Sequence, residues 1–216
     1  MSTQVYLEVG SKKTFACALD WPGWCRSGKS EQAALDALAA YAPRFAPVAE
    51  RAGFRFPRSA AELEVVDRIQ GSATTDFGAI GVPASADHEP LTAANANRLA
   101  AFVEASWAIF DEVATEAPAE LRKGPRGGGR DRDKMIDHVL GAEADYLRRI
   151  GLKFRQPAIG DREAIRAMRA ATLRTLRAAR DPMPDLPTKA WPYRFAARRI
   201  AWHVLDHTWE MQDRSD

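Results

Sequence analysis

The chain has no long uninterrupted apolar run and very few cysteines or histidines. Its 216 residues include two cysteines, Cys17 and Cys25, and four histidines. No apolar segment reaches the roughly 20 residues that a membrane-spanning helix needs, and residues 1–7 lack the apolar core of a signal peptide. We therefore expect a cytoplasmic protein with no membrane partner, in which both cysteines are free thiols rather than a disulfide.

A strong excess of charge of either sign is also missing. The 31 basic and 29 acidic residues give a net charge of +2, which is too small to indicate nucleic-acid binding by itself. The length leaves room for one large or two small domains. We expect a small-molecule substrate and no nucleic-acid partner. Pairing into a homodimer stays open, because no exposed apolar stripe in the sequence decides it.

The N-terminal part of the chain shows strand patterns on both sides of one helical pattern. Apolar residues at every second position predict four strands, at about residues 5–9, 14–19, 24–26 and 63–69. Ser30 is a helix cap, and the alanine-rich run after it predicts a helix to about Arg51. The order predicts a small β-β-β-α-β module. Residues 71–90, rich in Gly, Ala, Ser and Pro, follow as a linker or an irregular excursion.

From Leu91 onward the apolar residues recur at helical spacing. The pattern predicts four helices, at about residues 92–115, 131–150, 161–180 and 193–214. Loops of moderate length join them, which is typical of a helix bundle. The predicted fold class is therefore α+β, with the small module and linker at residues 1–85 and a four-helix bundle at residues 90–216.

Three of the four histidines lie on apolar helical faces. His203 and His207 are four residues apart, so both side chains lie on one face, beside Ile200 and Val204. His138 has apolar neighbours in another predicted helix. Three neutral imidazoles suit zinc, nickel, copper or iron rather than magnesium or calcium, and three protein ligands leave the open position of a catalytic site. The alternative is a set of core histidines that are satisfied by hydrogen bonds.

The surroundings of these histidines add weaker signals. The residue after His203 is valine, whereas the zincin motif has a glutamate there as the catalytic base. A basic, glycine-rich loop at residues 122–130 leads into the helix of His138. It makes Arg126 and Arg130 candidate anion contacts, with a solvated loop as the alternative. Asp145 and Glu210, each seven residues from one of the histidines, could stand behind a ligand, and each is expected to be a rim charge rather than a ligand.

Two stretches near the N-terminus resemble the HicB-like fold. Residues 19–25 contain a strand end followed by the turn at Pro22 and Gly23, and residues 28–33 begin a helix rich in Glu and Ala. The resemblance implies a small α+β binding platform. Such a platform by itself says little about function, because one fold serves many functions.

Two stretches of the C-terminal part resemble the DinB-like (YfiT-like) metalloprotein superfamily, namely residues 138–149 and 198–210. Members share a four-helix bundle whose metal site takes one histidine from the second helix and two from the fourth. Carried over by position, the resemblance implies that His138, His203 and His207 are the metal ligands. It implies a divalent transition metal, with zinc favoured and nickel or iron open, and for some members a low-molecular-weight thiol.

The resulting expectation is a metal-dependent enzyme of thiol-dependent S-transferase or isomerase type. A metal-dependent hydrolase is one alternative, because a metal ion also lowers the pKa of bound water to about 7. A non-enzymatic ligand-sensing or interaction protein that acts through the HicB-like module is the other.

Overall fold

The computed structural model describes residues 2–57, 60, 62–124, 128–178 and 190–215. Within these residues the fold is α+β, as predicted, with one four-stranded sheet and seven α-helices. The strands are β1 (Thr3–Val9), β2 (Thr14–Ala18), β3 (Cys25–Gly28) and β4 (Leu63–Gln70). The helices are α1 (Glu31–Ala40), α2 (Ala42–Arg51), α3 (Ala73–Phe77), α4 (Ala93–Glu116), α5 (Arg132–Arg148), α6 (Arg162–Ala178) and α7 (Tyr193–Asp213). None of the helices seen here is long and apolar enough to cross a membrane.

The sheet has the strand order β3-β2-β1-β4. Strand β1 runs antiparallel to β2 and parallel to β4, and a parallel pair requires a long crossover connection. Helices α1 and α2 lie in that connection. Cys17 and Cys25 face each other across β2 and β3, and both are buried free thiols.

The predicted single helix between Ser30 and Arg51 is wrong, because the chain forms two helices that meet at Tyr41. Ser30 does cap the first of them, since its side chain accepts a hydrogen bond from the backbone N–H of Ala33 at 3.2 Å. Pro43 lies in the first turn of α2, where its missing N–H costs nothing, and a second proline, Pro47, lies inside the same helix. The module is therefore β-β-β-α-α-β.

Residues 71–90 are an irregular excursion that packs on the sheet. They contain α3 and a 3-10 helix, Ser85–His88. The buried carboxylate of Glu8 accepts hydrogen bonds from the hydroxyl of Thr75 and from the backbone N–H of Gly81, the latter at 2.9 Å. Ile80 is buried in the same apolar cluster as β-strand residues. The segment is thus held against the sheet by both apolar and polar contacts.

The last helix, α7, is the element on which the rest of the chain packs. It contributes Val204 to the apolar cluster shared with α4, α5 and α6, and Leu205 to the cluster on one face of the sheet. Trp202 belongs to a third cluster that contains Tyr6 of β1. Buried residues therefore lie all around α7, which is typical of a helix inside a core rather than on a surface.

The Pro-Gly turn before β3 packs directly on α7. Gly23 has φ +97°, and a Cβ atom placed on it would lie 2.7 Å from Leu205 Cδ1. The turn therefore needs glycine both for its backbone conformation and for its close approach to the helix. Apolar side chains from both predicted domains share this cluster, and the division into residues 1–85 and 90–216 stays a prediction.

A buried carboxyl group lies where α4, α5 and α6 meet. Glu143 is 2 % exposed, its Oε1 accepts a hydrogen bond from Trp107 Nε1 at 2.6 Å, and its Oε2 lies 3.7 Å from Arg169 Nε. Burial disfavours the charged form and raises the pKa of Glu143 to about 7, against the opposing effect of Arg169. The carboxyl group therefore titrates near neutral pH.

We expect Glu143 to make the protein less stable as the pH rises from about 4.5 to about 7. In this window the folded chain keeps a proton that the unfolded chain has lost, so the free energy of unfolding falls with pH, by about 3 kcal/mol in total. Urea unfolding at pH 5 and at pH 7.5 measures the fall. Glu143→Gln should remove most of it, whereas Glu112→Gln at an exposed position should not. An equal pH dependence in wild type and Glu143→Gln would contradict the assignment.

Candidate metal centre

Helices α5 and α7 bring three histidine side chains to one point. His138 comes from α5, and His203 and His207 come from adjacent turns of α7. The ring centroids form a nearly regular triangle with sides of 5.0, 4.9 and 4.7 Å. One nitrogen of each ring lies within 4.8 Å of the other two, so the three residues are close enough to hold a metal ion.

The distances between these nitrogen atoms are longer than in a closed tetrahedral site. Zinc–nitrogen bonds of about 2.0–2.1 Å correspond to nitrogen–nitrogen distances of about 3–3.5 Å. The Nε2 atoms of His138 and His203 meet this expectation at 3.2 Å. The whole set extends to 4.8 Å. Binding of an ion would therefore require the rings to close slightly.

Glu210 orients one of the three imidazoles. Its Oε2 lies 3.0 Å from Nδ1 of His207, and its Oε1 accepts a hydrogen bond from Arg214 at 2.7 Å. A proton on Nδ1 of His207 leaves the lone pair on Nε2, which is the arrangement that metal-bound histidines commonly have when a carboxylate stands behind them. The sequence predicted Glu210 as a rim charge, and its contact with His207 depends on their spacing of three residues on α7.

Burial keeps two of the imidazoles neutral. It is the main cause that lowers the pKa of His138 to about 4, and the neighbouring His207 adds to the effect. Burial also lowers the pKa of His203 well below its ordinary value, with further contributions from His207 and then from the charge of Arg199. Neutral imidazole is the form that binds a metal ion, so at pH 7 these two side chains need not lose a proton first.

The donor set suits a transition metal. Three imidazole nitrogens favour zinc, nickel, copper or iron and do not match the oxygen ligands that magnesium and calcium prefer. Nδ1 of His203 is buried without a hydrogen-bond partner in the part of the chain that the structure describes. His203 therefore lacks a carboxylate like the one that stands behind His207.

Several residues that the sequence placed near the site lie elsewhere or play another part. Arg126 lies outside the described residues, and Arg130 is exposed, although its charge helps to lower the pKa of His138 after burial and His207. Asp145 is an exposed ion-pair partner of Arg148. The fourth histidine, His88, is exposed on the 3-10 helix. Of the predicted site residues, only the three histidines therefore form the cluster, and Glu210 contacts the ring of His207.

Two aromatic rings and one arginine adjoin the cluster, and sequence reasoning missed the arginine. The rings of Tyr146 and Trp202 lie 5.6 and 6.3 Å from the ring of His203, centroid to centroid. Arg199 lies between these two rings, at 5.0 and 4.9 Å from their centroids. Its spacing of four residues from His203 was the signal that could have placed it on the same face.

Comparisons of the chain with family models, with curated proteins and with solved structures find no match.

Proposed function

We propose that this protein is a metal-dependent enzyme of the DinB-like type, with zinc at His138, His203 and His207 and a thiol-dependent S-transferase or isomerase activity. The observation that carries the proposal is the convergence of three imidazoles from two helices, with a carboxylate behind one of them. The helix order agrees with the resemblance, since one ligand lies on the second long helix, α5, and two lie on the fourth, α7.

The arrangement of the long helices supports a bundle of this type. Helix α4 packs on α6 and α7, and α5 packs on the same two helices. For the N-terminal part, the sheet order and the Pro-Gly turn support a HicB-like module, although the second helix, α2, departs from the pattern of that family. We propose that this module is a packing and recognition platform beside the metal centre.

The chemistry at such a site would begin with the activation of a nucleophile. His138, His203 and His207 would hold the metal ion, which when bound would lower the pKa of a thiol in its open position. Glu210 would hold the tautomer and orientation of His207, and both of its carboxylate oxygens are already engaged. Glu210 is therefore better suited to hold the His207 side chain in position than to act as a general base. Tyr146 and Trp202 would exclude water from one side of the site.

The test is an assay of the zinc-loaded full-length protein with an activated aryl halide and a small thiol such as cysteine. We expect thiol consumption above the uncatalysed rate, and we expect it to stop when a chelator removes the metal. A parallel assay with an activated ester tests the hydrolase alternative. Equal rates for the loaded and the metal-free protein in both assays would overturn the enzymatic proposal and favour a binding role.

A further inference from the structure

We propose that Arg199 binds the carboxylate of the ligand at the three-histidine site, so that the site takes a low-molecular-weight thiol that carries a carboxylate group. The inference rests on the proposed function, because the other end of that ligand, its sulfur, would occupy the open position at the histidines. It adds to that function the chemical class of the thiol and the residue that recognises it.

The first observation is that Arg199 is a buried cation that makes no ion pair within 4 Å among the described residues, although its charge opposes the rise that burial causes in the pKa of Glu8. The residue is 7 % exposed, and its Nε and Nη1 atoms are buried with no hydrogen-bond partner among the described residues. Its neighbour Arg198 is equally buried but lies 2.9 Å from the carboxylate of Asp87. A buried N–H donor without an acceptor destabilises the fold. The carboxylate of a ligand would give both donors an acceptor.

The second observation is the place of Arg199 beside the histidines. It lies one helical turn before His203 on the same face of α7. Tyr146 and Trp202 flank its guanidinium group at about 5 Å and also flank the ring of His203. The two rings therefore hold the cation next to the imidazole cluster, and its Nε and Nη1 have no hydrogen-bond partner among the described residues.

The chemistry of the guanidinium group selects the ligand. A planar guanidinium presents its N–H groups in the geometry that fits a carboxylate, and a single cation balances a single negative charge. The sequence suggested Arg126 and Arg130 as anion contacts. Arg130 is exposed, and an exposed arginine contributes less to an ionic contact than a buried one because water screens it. Arg199 is therefore the better anion contact.

The experiment uses the full-length protein loaded with cobalt(II), whose visible spectrum changes when a thiolate binds. Two probes are titrated, 3-mercaptopropionate and 2-mercaptoethanol, which differ in that the first carries a carboxylate. We expect the wild type to bind 3-mercaptopropionate about ten-fold more tightly, because hydrogen bonds to charged groups are the stronger ones. Arg199→Met and Arg199→Gln should lose this preference and keep the affinity for cobalt, whereas Arg199→Lys should keep part of it.

The control is Arg130→Gln, which removes an exposed positive charge near His138 and should leave the preference within about three-fold of wild type, as expected for a solvent-screened charge. A wild type that binds both thiols equally, or an unchanged preference in Arg199→Met, would overturn the role of Arg199 and leave the proposed function standing. If neither thiol changes the cobalt spectrum, both proposals fail.

Discussion

Replacing His203 by alanine is expected to weaken metal binding by roughly a hundred- to a thousand-fold. Apparent binding free energies of about 10–16 kcal/mol for four-ligand zinc sites correspond to roughly 3 kcal/mol for each ligand. His203 is 7 % exposed, its Nε2 lies 3.2 Å from that of His138, and no fourth His, Cys, Asp or Glu of the described residues belongs to the cluster. Competition with a chromogenic chelator measures the affinity of the full-length protein.

The chain offers a matched control and a graded variant for this measurement. His88 is the one histidine outside the cluster, and it is exposed. The variant His88→Ala should therefore leave the metal affinity unchanged. Glu210→Gln keeps all three imidazoles but weakens the hold on His207, so a loss of about 10–100-fold is expected. If His203→Ala and His88→Ala bind the metal equally well, the three histidines are not the ligands.

The second large effect is expected from Asp87→Ala, which should destabilise the fold by roughly 3–5 kcal/mol. Arg198 Nη1 donates a hydrogen bond to Oδ2 of Asp87 at 3.0 Å, and both side chains are almost completely buried, with 3 % and 0 % of their surfaces exposed. The pair joins α7 to the 3-10 helix. Its removal would leave a buried guanidinium without a partner, and urea unfolding measures the loss.

Two further variants test whether the effect comes from the unpaired charge. The double variant Asp87→Ala with Arg198→Met should recover most of the lost stability, because it removes the charge as well as its partner. Glu112→Ala breaks the exposed pair between Arg51 and Glu112 and should cost less than about 1 kcal/mol. A loss for Asp87→Ala as small as that for Glu112→Ala would show that the buried pair does not stabilise the fold.

Much of the secondary structure could be predicted because it depends on local periodicity. Helices α4 to α7 begin and end within two residues of the predicted bounds, as far as the structure describes them, and Thr92 caps α4 through its side chain. The break at Tyr41 was missed, because the alanine-rich pattern continues across it and only Pro43 indicates that a new helix begins. The short helix α3 was missed since five residues are too few to show a helical period.

The candidate site was predictable in part. The choice of histidines depended on apolar neighbours and on a spacing of four, and both are visible in the sequence. A place for Glu210 behind the ligands stayed open beside its expected role as a rim charge, and the place of Arg199 was not predicted, because charged residues are usually solvated and are therefore taken to lie outside.

What the sequence alone determined is which side chains share a face of each helix, because the helical period is a property of the local backbone. Only the tertiary structure decided that α5 approaches α7 and brings His138 within 3.2 Å of His203 across 65 positions of the chain. It also gave different surroundings to Arg198 and Arg199, which are adjacent in sequence. The packing of the 3-10 helix gives the first a buried carboxylate partner, while the second lies beside the rings of Tyr146 and Trp202 with two N–H groups that have no acceptor in the described part of the chain.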